Sequence, residues 1–467
     1  MNEPDIRKLR ERYERLLEEG SRGYFEPEEL DMIADSYEQE MSYRKALQVV
    51  KQGLELYPAN EMLILRKANC LLALGRIEDA GQALACITER TYEYYFVLAE
   101  WALMRNDSDE AMAAFDAIIS DSDCVIDDCI DIIDICANLD KVELLERMTP
   151  VIEQRFADVV PYLRELAILY EEKEQDEKAA ELYNKVLDAN PFSTDDWFAL
   201  AKLHARSKDY DRAIEACDFA LAIDGDDESI IAFKGYCLYD NGDYKGAVEQ
   251  FEQFLHCTSD KAVAYELIAE AYGRMEQHEL AIENLLKAVA LNDRSHDLYY
   301  QLAVNHYYMG GIDEAISCLR KAIACDDNDD EAHVFMGELL LQKEEYEEAY
   351  IHLLRTELTP VADTVPATAL ADVCIQLQRY DEAIKVLEIL LEQEPYEPHY
   401  LFDIILCYLQ IGEYEAAARW VAQSDELSHD TAKIEQLDGS SRKAWNAIRM
   451  RIDELRNILS VYLDKKL

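Results

Sequence analysis

Cys124, Cys129 and Cys136 form the tightest thiol group in the chain, with Asp127, Asp128 and Asp131 interleaved. Thiolates and carboxylates together are donors for zinc, but zinc sites usually use cysteine pairs separated by two to four residues. Here the gaps are four and six, with no second pair or His nearby, so the three read as buried helical cysteines. A second candidate is the run Asp326-Asp327-Asn328-Asp329-Asp330-Glu331, whose oxygen donors would suit calcium. An EF-hand loop needs Gly at its sixth position for the sharp turn, and Glu331 stands there. The nine histidines are dispersed, without H-E-x-x-H, and the chain has no P-loop, no G-x-S-x-G and no G-x-G-x-x-G. These residues give no nucleophile, no metal centre and no phosphate cradle. The expectation is a protein without catalytic activity, metal or cofactor.

Charge narrows the partners. Lys and Arg number 46 against 97 Asp and Glu, a formal net charge of −51. Such a field repels nucleic acid, whose binding needs clustered Lys and Arg on the phosphates, and it disfavours anionic membrane surfaces. It attracts basic proteins and also keeps a long surface soluble. The first twenty residues lack the apolar stretch of a signal peptide, and no run of 18 apolar residues occurs. Twelve cysteines spread over apolar helical positions fit reduced thiols better than a disulfide framework. A cytoplasmic location with no membrane insertion is expected.

The elements that would position any binding residues follow a period. Ala179, Ala213, Ala247, Ala281, Ala315, Ala349, Ala383 and Ala417 are spaced by 34 residues; Ala46 and Ala80 keep that step, and Ala111 follows. Twelve positions before most of them stands another small residue: Ala34, Ala68, Ala99, Ala167, Ala201, Gly235, Ala269, Ala303, Gly337 and Ala371. Each period has room for two helices, with apolar faces at helical spacing and small residues where the helices approach. Turn signals such as Asn241-Gly242-Asp243, Gly310-Gly311 and Gly412 separate the two. A lone hairpin cannot cover its own apolar face, so neighbours must stack.

This pattern resembles the tetratricopeptide repeat, with Leu163, Ala167, Tyr170, Ala179, Tyr183 and Pro191 taking the family's signature positions in the unit 160–193. Ile231, Gly235, Leu238, Ala247 and Phe251 do so in 228–261. The resemblance implies an all-α solenoid of about twelve stacked hairpins forming a right-handed superhelix. The units fall at 27–60, 61–91, 92–125, 126–159, 160–193, 194–227, 228–261, 262–295, 296–329, 330–363, 364–397 and 398–423. Residues 1–26 carry an expected capping helix, 27–125 hold units one to three, and 160–423 hold units five to twelve. The unit 126–159 diverges, with Ile133 and Leu145 at the small-residue positions and Pro150 within its second helix. Residues 424–467 are expected to form a polar loop and a closing helix bearing Trp445, Ile448, Ile452, Leu455, Ile458, Leu459 and Tyr462.

In that family, partners are contacted from first-helix positions 2, 5, 9, 12 and 13 on the inner groove. Carried onto this chain, the resemblance implies groove residues Arg164, Phe198, Lys202, Arg206, Tyr236, Tyr239, Arg274, Tyr300, Tyr307 and Tyr308. Tyr and Arg are residue types that anchor interfaces. The family's clamp for a peptide carboxylate needs Lys and Asn across successive repeats; Asn69 takes one such place without a matching set. The expectation is a monomeric scaffold or adaptor that binds a protein or peptide segment. The alternative is a structural subunit that assembles through its outer face or end repeats.

Overall fold

The computed structural model describes residues 3–19, 23–355, 364–395, 397–429 and 439–463. The described residues form helices joined by short turns, and none of these helices is long and apolar enough to cross a membrane. By packing, the chain divides into two units, Met1–Gly225 and Asp226–Leu467.

In the first unit α1 (Glu3–Glu18) precedes α2 (Pro27–Gln39), α3 (Tyr43–Leu56), α4 (Glu61–Ala73), α5 (Ile77–Leu84), α6 (Tyr92–Met104) and α7 (Ser108–Ser120). There follow α8 (Ile126–Asn138), α9 (Glu143–Arg155), α10 (Val160–Glu172), α11 (Asp176–Ala189), α12 (Thr194–Arg206) and α13 (Tyr210–Ile223). From α2 onward they pair as hairpins, and Leu9 and Tyr13 of α1 close the apolar end of the first pair.

The second unit repeats the scheme with α14 (Glu228–Asp240), α15 (Tyr244–Cys257), α16 (Lys261–Arg274), α17 (His278–Leu291), α18 (His296–Tyr308) and α19 (Ile312–Cys325). It continues through α20 (Asp330–Gln342), α21 (Tyr346–Arg355), α22 (Thr364–Gln376), α23 (Tyr380–Gln393), α24 (Pro398–Gln410) and α25 (Tyr414–His429). A last helix, α26 (Gly439–Leu463), packs on α24 and α25 through Trp445, Ile448, Ile452 and Leu459, all buried. Among the described residues each unit is therefore an all-α solenoid of six hairpins, the first preceded by α1 and the second followed by α26. The polar stretch expected as loop from Ser424 is helical as far as His429, with Ser424 itself buried. Residues 430–438 lie outside the described residues, as do the side chains of Ile458 and Tyr462.

The periodic small residues do what their spacing requires. Every one of the 34-residue alanines is fully buried, and so are Ala34, Ala68, Ala99, Ala167, Ala201 and Ala303. At Gly235 the approach is closer than a methyl allows: a Cβ there would stand 2.4 Å from Phe251 Cε1. A Cβ at Gly337 would stand 2.5 Å from Leu353 Cγ.

A second periodic feature is conformational. Met41, Gly75, Asn106, Asp140, Glu174, Lys208, Gly242, Glu276, Gly310, Glu344, Gln378 and Gly412 all have positive φ, one between the two helices of each hairpin. The amide after each donates back five residues, as in Asp209 N to His204 O at 2.8 Å and Glu345 N to Leu340 O at 2.9 Å. This left-handed cap satisfies carbonyls that the helix end would leave unpaired.

The divergent unit keeps this turn at Asp140 and keeps its helices. Pro150 lies inside α9, which runs on to Arg155 without interruption. Thr149, just before it, bonds its own helix through Oγ1 to Leu145 O at 2.8 Å. Ile133 and Leu145, large where small residues belong, are buried in a core that continues from Ala99 to Leu203. Cys124, Cys129 and Cys136 belong to that core, and burial pushes the thiols of Cys129 and Cys136 up to about 12.

Candidate protein-binding surface

The groove residues implied by the repeat positions sit on first helices: Arg164 on α10, Phe198, Lys202 and Arg206 on α12, and the rest on α14, α16 and α18. In the first unit both arginines serve the chain itself. Arg164 holds Asp196 with two bonds, Nε to Oδ1 at 2.8 Å and Nη2 to Oδ2 at 2.7 Å, tying α10 to α12. Burial would raise the Asp196 carboxyl, but the guanidinium and the Ser193 hydroxyl outweigh it and hold the group below its ordinary value. Arg206 reaches back to Asp176 at the start of α11, Nε to Oδ2 at 2.6 Å. Lys202 lies over the ring of Phe198, 5.0 Å from its centroid, with its side chain exposed.

In the second unit the aromatic residues dominate. Tyr236 is 44% exposed although its ring meets Phe251 edge-on at 5.6 Å. Tyr239 donates its hydroxyl proton to Glu270 Oε1 at 2.7 Å and accepts from Arg274 Nε at 2.7 Å. Arg274 is thereby engaged as well, and its carboxylate neighbour Glu270 faces the same wall of α16. Glu266, one turn earlier, accepts from Gln301 Nε2 at 2.8 Å; burial raises its carboxyl.

Tyr300, Tyr307 and Tyr308 converge where α18 faces α20. Tyr307 and Tyr300 both meet Phe335 edge-on, with centroids at 5.5 Å and 6.0 Å. Tyr308 stacks on His278 at 5.0 Å and is 66% exposed. These rings line an open cleft of about 520 Å³ whose far wall carries Glu331 and Glu338. Val304, Asp330 and Val334, with Pro366 of α22, complete its lining. Burial raises the Glu338 carboxyl, and no ion pair engages Glu331 or Glu338 among the described residues.

The positional reading thus picked out one wall of the cleft and not the other. Phe335, Glu331 and Glu338 were absent from it. Glu331 and Glu338 occupy positions 2 and 9 of the unit 330–363, so the same rule applied one unit further would have reached them. Phe335, at position 6, has no such signal; only the packing of α18 against α20 turns its ring into the cleft. Asn69 donates to Glu38 Oε2 at 3.1 Å, beside Arg66, which binds Asp31, Asp35 and Glu38. In the run 326–331, Asp329 caps α20 by accepting from Ala332 N at 3.0 Å.

Comparison with known proteins returns the same repeat. Profiles of the family described as tetratricopeptide repeat match residues 164–228, 300–361 and 368–428, and again 262–294. A curated relative, the BBSome complex member BBS4 homolog of Drosophila melanogaster, is 22% identical over 196 residues. That match spans 42% of this chain and 40% of the relative, so well under two thirds of the relative's length is covered. Among solved structures, MamA is 25% identical with a TM-score of 0.32, covering 35% of this chain and 88% of that one. YrrB, described as a TPR protein with an unusual peptide-binding site, is 22% identical with a TM-score of 0.33, covering 43% and 99%.

Proposed function

Because the chain belongs to the tetratricopeptide-repeat family, we propose that it is a non-catalytic scaffold that holds a protein or peptide segment against its first-helix faces. The observation that carries this reading is the exposure of Tyr236, Tyr307 and Tyr308 on first helices of one unit. Solvated rings of this size serve well as anchors, because an aromatic side chain offers a large contact area and loses few torsions when it is fixed. The surface is preformed by stacked hairpins, so binding orders the partner and costs the receptor little. Tyr239 and Arg274, paired with each other, would frame that surface within the second unit, while Arg164, Phe198, Lys202 and Arg206 stand on first-helix faces of the first. The scaffold acts as a monomer in the cytoplasm in this reading.

A photo-crosslinking amino acid placed at Tyr307 and, as a control, at exposed Leu286 on the second helix α17 tests it in source lysate. The expected result is a discrete adduct from position 307 that is absent from position 286. Adducts equal at both positions, or adducts only of the chain with itself, overturn the reading.

A further inference from the structure

The cleft between α18 and α20 combines two features that select for charge. Its walls are aromatic rings that present faces and edges to the opening: Tyr300, Tyr307 and Tyr308 on one side and Phe335 on the other. Aromatic faces attract cations through the ring quadrupole, and the attraction grows as the cation is desolvated. Within the same opening stand the carboxylates of Glu331 and Glu338, without an ion pair among the described residues. Glu338 is half-buried, so a carboxylate there has lost part of its hydration and gains more than a surface group from a cation brought beside it.

Among the described residues no Lys, Arg or His lines the cleft. Arg274 is bound to Tyr239, and Arg355, at the end of α21, is bound to Asp327. The cleft therefore offers rings and carboxylates, while the groove arginines of the positional reading are occupied. At about 520 Å³ it is larger than a single side chain needs, and it is open enough to admit one from a passing main chain.

We propose that this cleft receives a lysine or arginine side chain from the bound segment, with the ammonium or guanidinium between the tyrosine rings and Glu331 and Glu338. The proposal rests on the scaffold reading above and names the chemistry of its partner: a segment with a basic residue as anchor. The stem of the side chain lies along Val304 and Val334 while its charged head meets the carboxylates. Excess negative charge over the whole chain steers such a segment inward; the cleft decides where the anchor sits.

The test is random-peptide phage display against the full chain, followed by fluorescence anisotropy with the selected synthetic peptides. The expected result is a shared Lys or Arg whose replacement by norleucine weakens binding about tenfold or more, an effect of the size reached by desolvated cation–aromatic and charge-pair contacts. Glu331→Gln and Glu338→Gln should each weaken the basic peptide and leave its norleucine version unchanged, whereas Tyr307→Ala should weaken both, the basic peptide more. Tyr307 and Glu331 are exposed, so these two variants keep the fold, and circular dichroism checks it. A control, Glu252→Gln at an exposed position of α15, measures the general effect of removing one charge. If Glu252→Gln weakens binding as much as Glu331→Gln, the attraction is diffuse and the proposal is wrong. Selected peptides that need Tyr307 but carry no basic residue overturn the cationic anchor and leave the scaffold reading standing. Peptides indifferent to every cleft variant overturn both.

Discussion

The hydroxyl of Tyr162 lies 3.0 Å from Thr149 Oγ1, and through that contact the divergent hairpin is joined to the one after it. Tyr162 is fully buried, and Thr149 is itself bonded to Leu145 O, so the pair forms a closed polar chain inside an apolar core. Removing the phenol oxygen with Tyr162→Phe leaves the Thr149 oxygen one partner short, a loss of about 1 kcal/mol. Tyr162→Ala adds a cavity and should cost about 3–5 kcal/mol. Urea unfolding of the two variants measures both. Since the core runs unbroken from Ala99 to Leu203, hydrogen exchange should show amides of α8 and α9 protected together with those of α10. Early loss of protection confined to 126–159 would contradict this.

Left-handed turn residues offer a gain of stability. Lys208, Glu276, Glu344 and Gln378 hold φ near 60° in turns where Gly would be unstrained. The left-handed conformation costs a residue with a Cβ about 1–2 kcal/mol, and Gly gives part of that back as unfolded-state entropy. Each Gly substitution there should raise stability by a few tenths to about 1 kcal/mol. A β-branched residue, as in Lys208→Val, should lower it. Thermal denaturation of the single variants settles the sign.

Gly235→Ala should destabilise by about 1–3 kcal/mol, because the new methyl would overlap Phe251, whose ring is almost wholly buried. Phe251→Leu frees space at that place. The double variant should then be less unstable than the sum of the singles, and a double-mutant cycle reads the coupling directly. Additive losses would mean that the helices shift apart instead of clashing.

Two groups in the second unit give opposite pH responses. His352 lies with Nδ1 2.8 Å from Nδ1 of buried His333; burial, and then His333, lower its pKa. Its folded form stays neutral where the unfolded chain takes up a proton, so stability falls as pH drops below about 6.5. Asp403 is raised to about 6 by burial, with Asp372 adding repulsion and His399 and Arg451 opposing it. The folded form there binds a proton that the unfolded chain does not hold above its ordinary value of about 3.9. That contribution is present at low pH and is lost as pH rises through about 6. His352→Gln should flatten the fall of Tm between pH 7 and 5, whereas Asp403→Asn should raise Tm at pH 7.5 and change it little at pH 4.5.

The sequence by itself determined the repeat, because a small residue is needed wherever two helices cross closely, and a 34-residue recurrence of Ala179 to Ala417 has no other simple cause. The hairpin count and the helix faces follow from that recurrence, since each apolar face has to find a neighbour. The left-handed turns at Lys208 and Glu276 were not legible, because neither residue type marks a turn; the hairpin geometry imposes the conformation on them. Tertiary structure alone decided the state of the groove cations. Arg164 and Arg206 look available in sequence, yet their partners Asp196 and Asp176 are about thirty residues away and become neighbours only when hairpins stack. The same stacking places Phe335 opposite Tyr307 and turns two helix faces into one cleft. Periodicity specifies which face of a helix is buried; which side chains meet across two such faces depends on the packing between them.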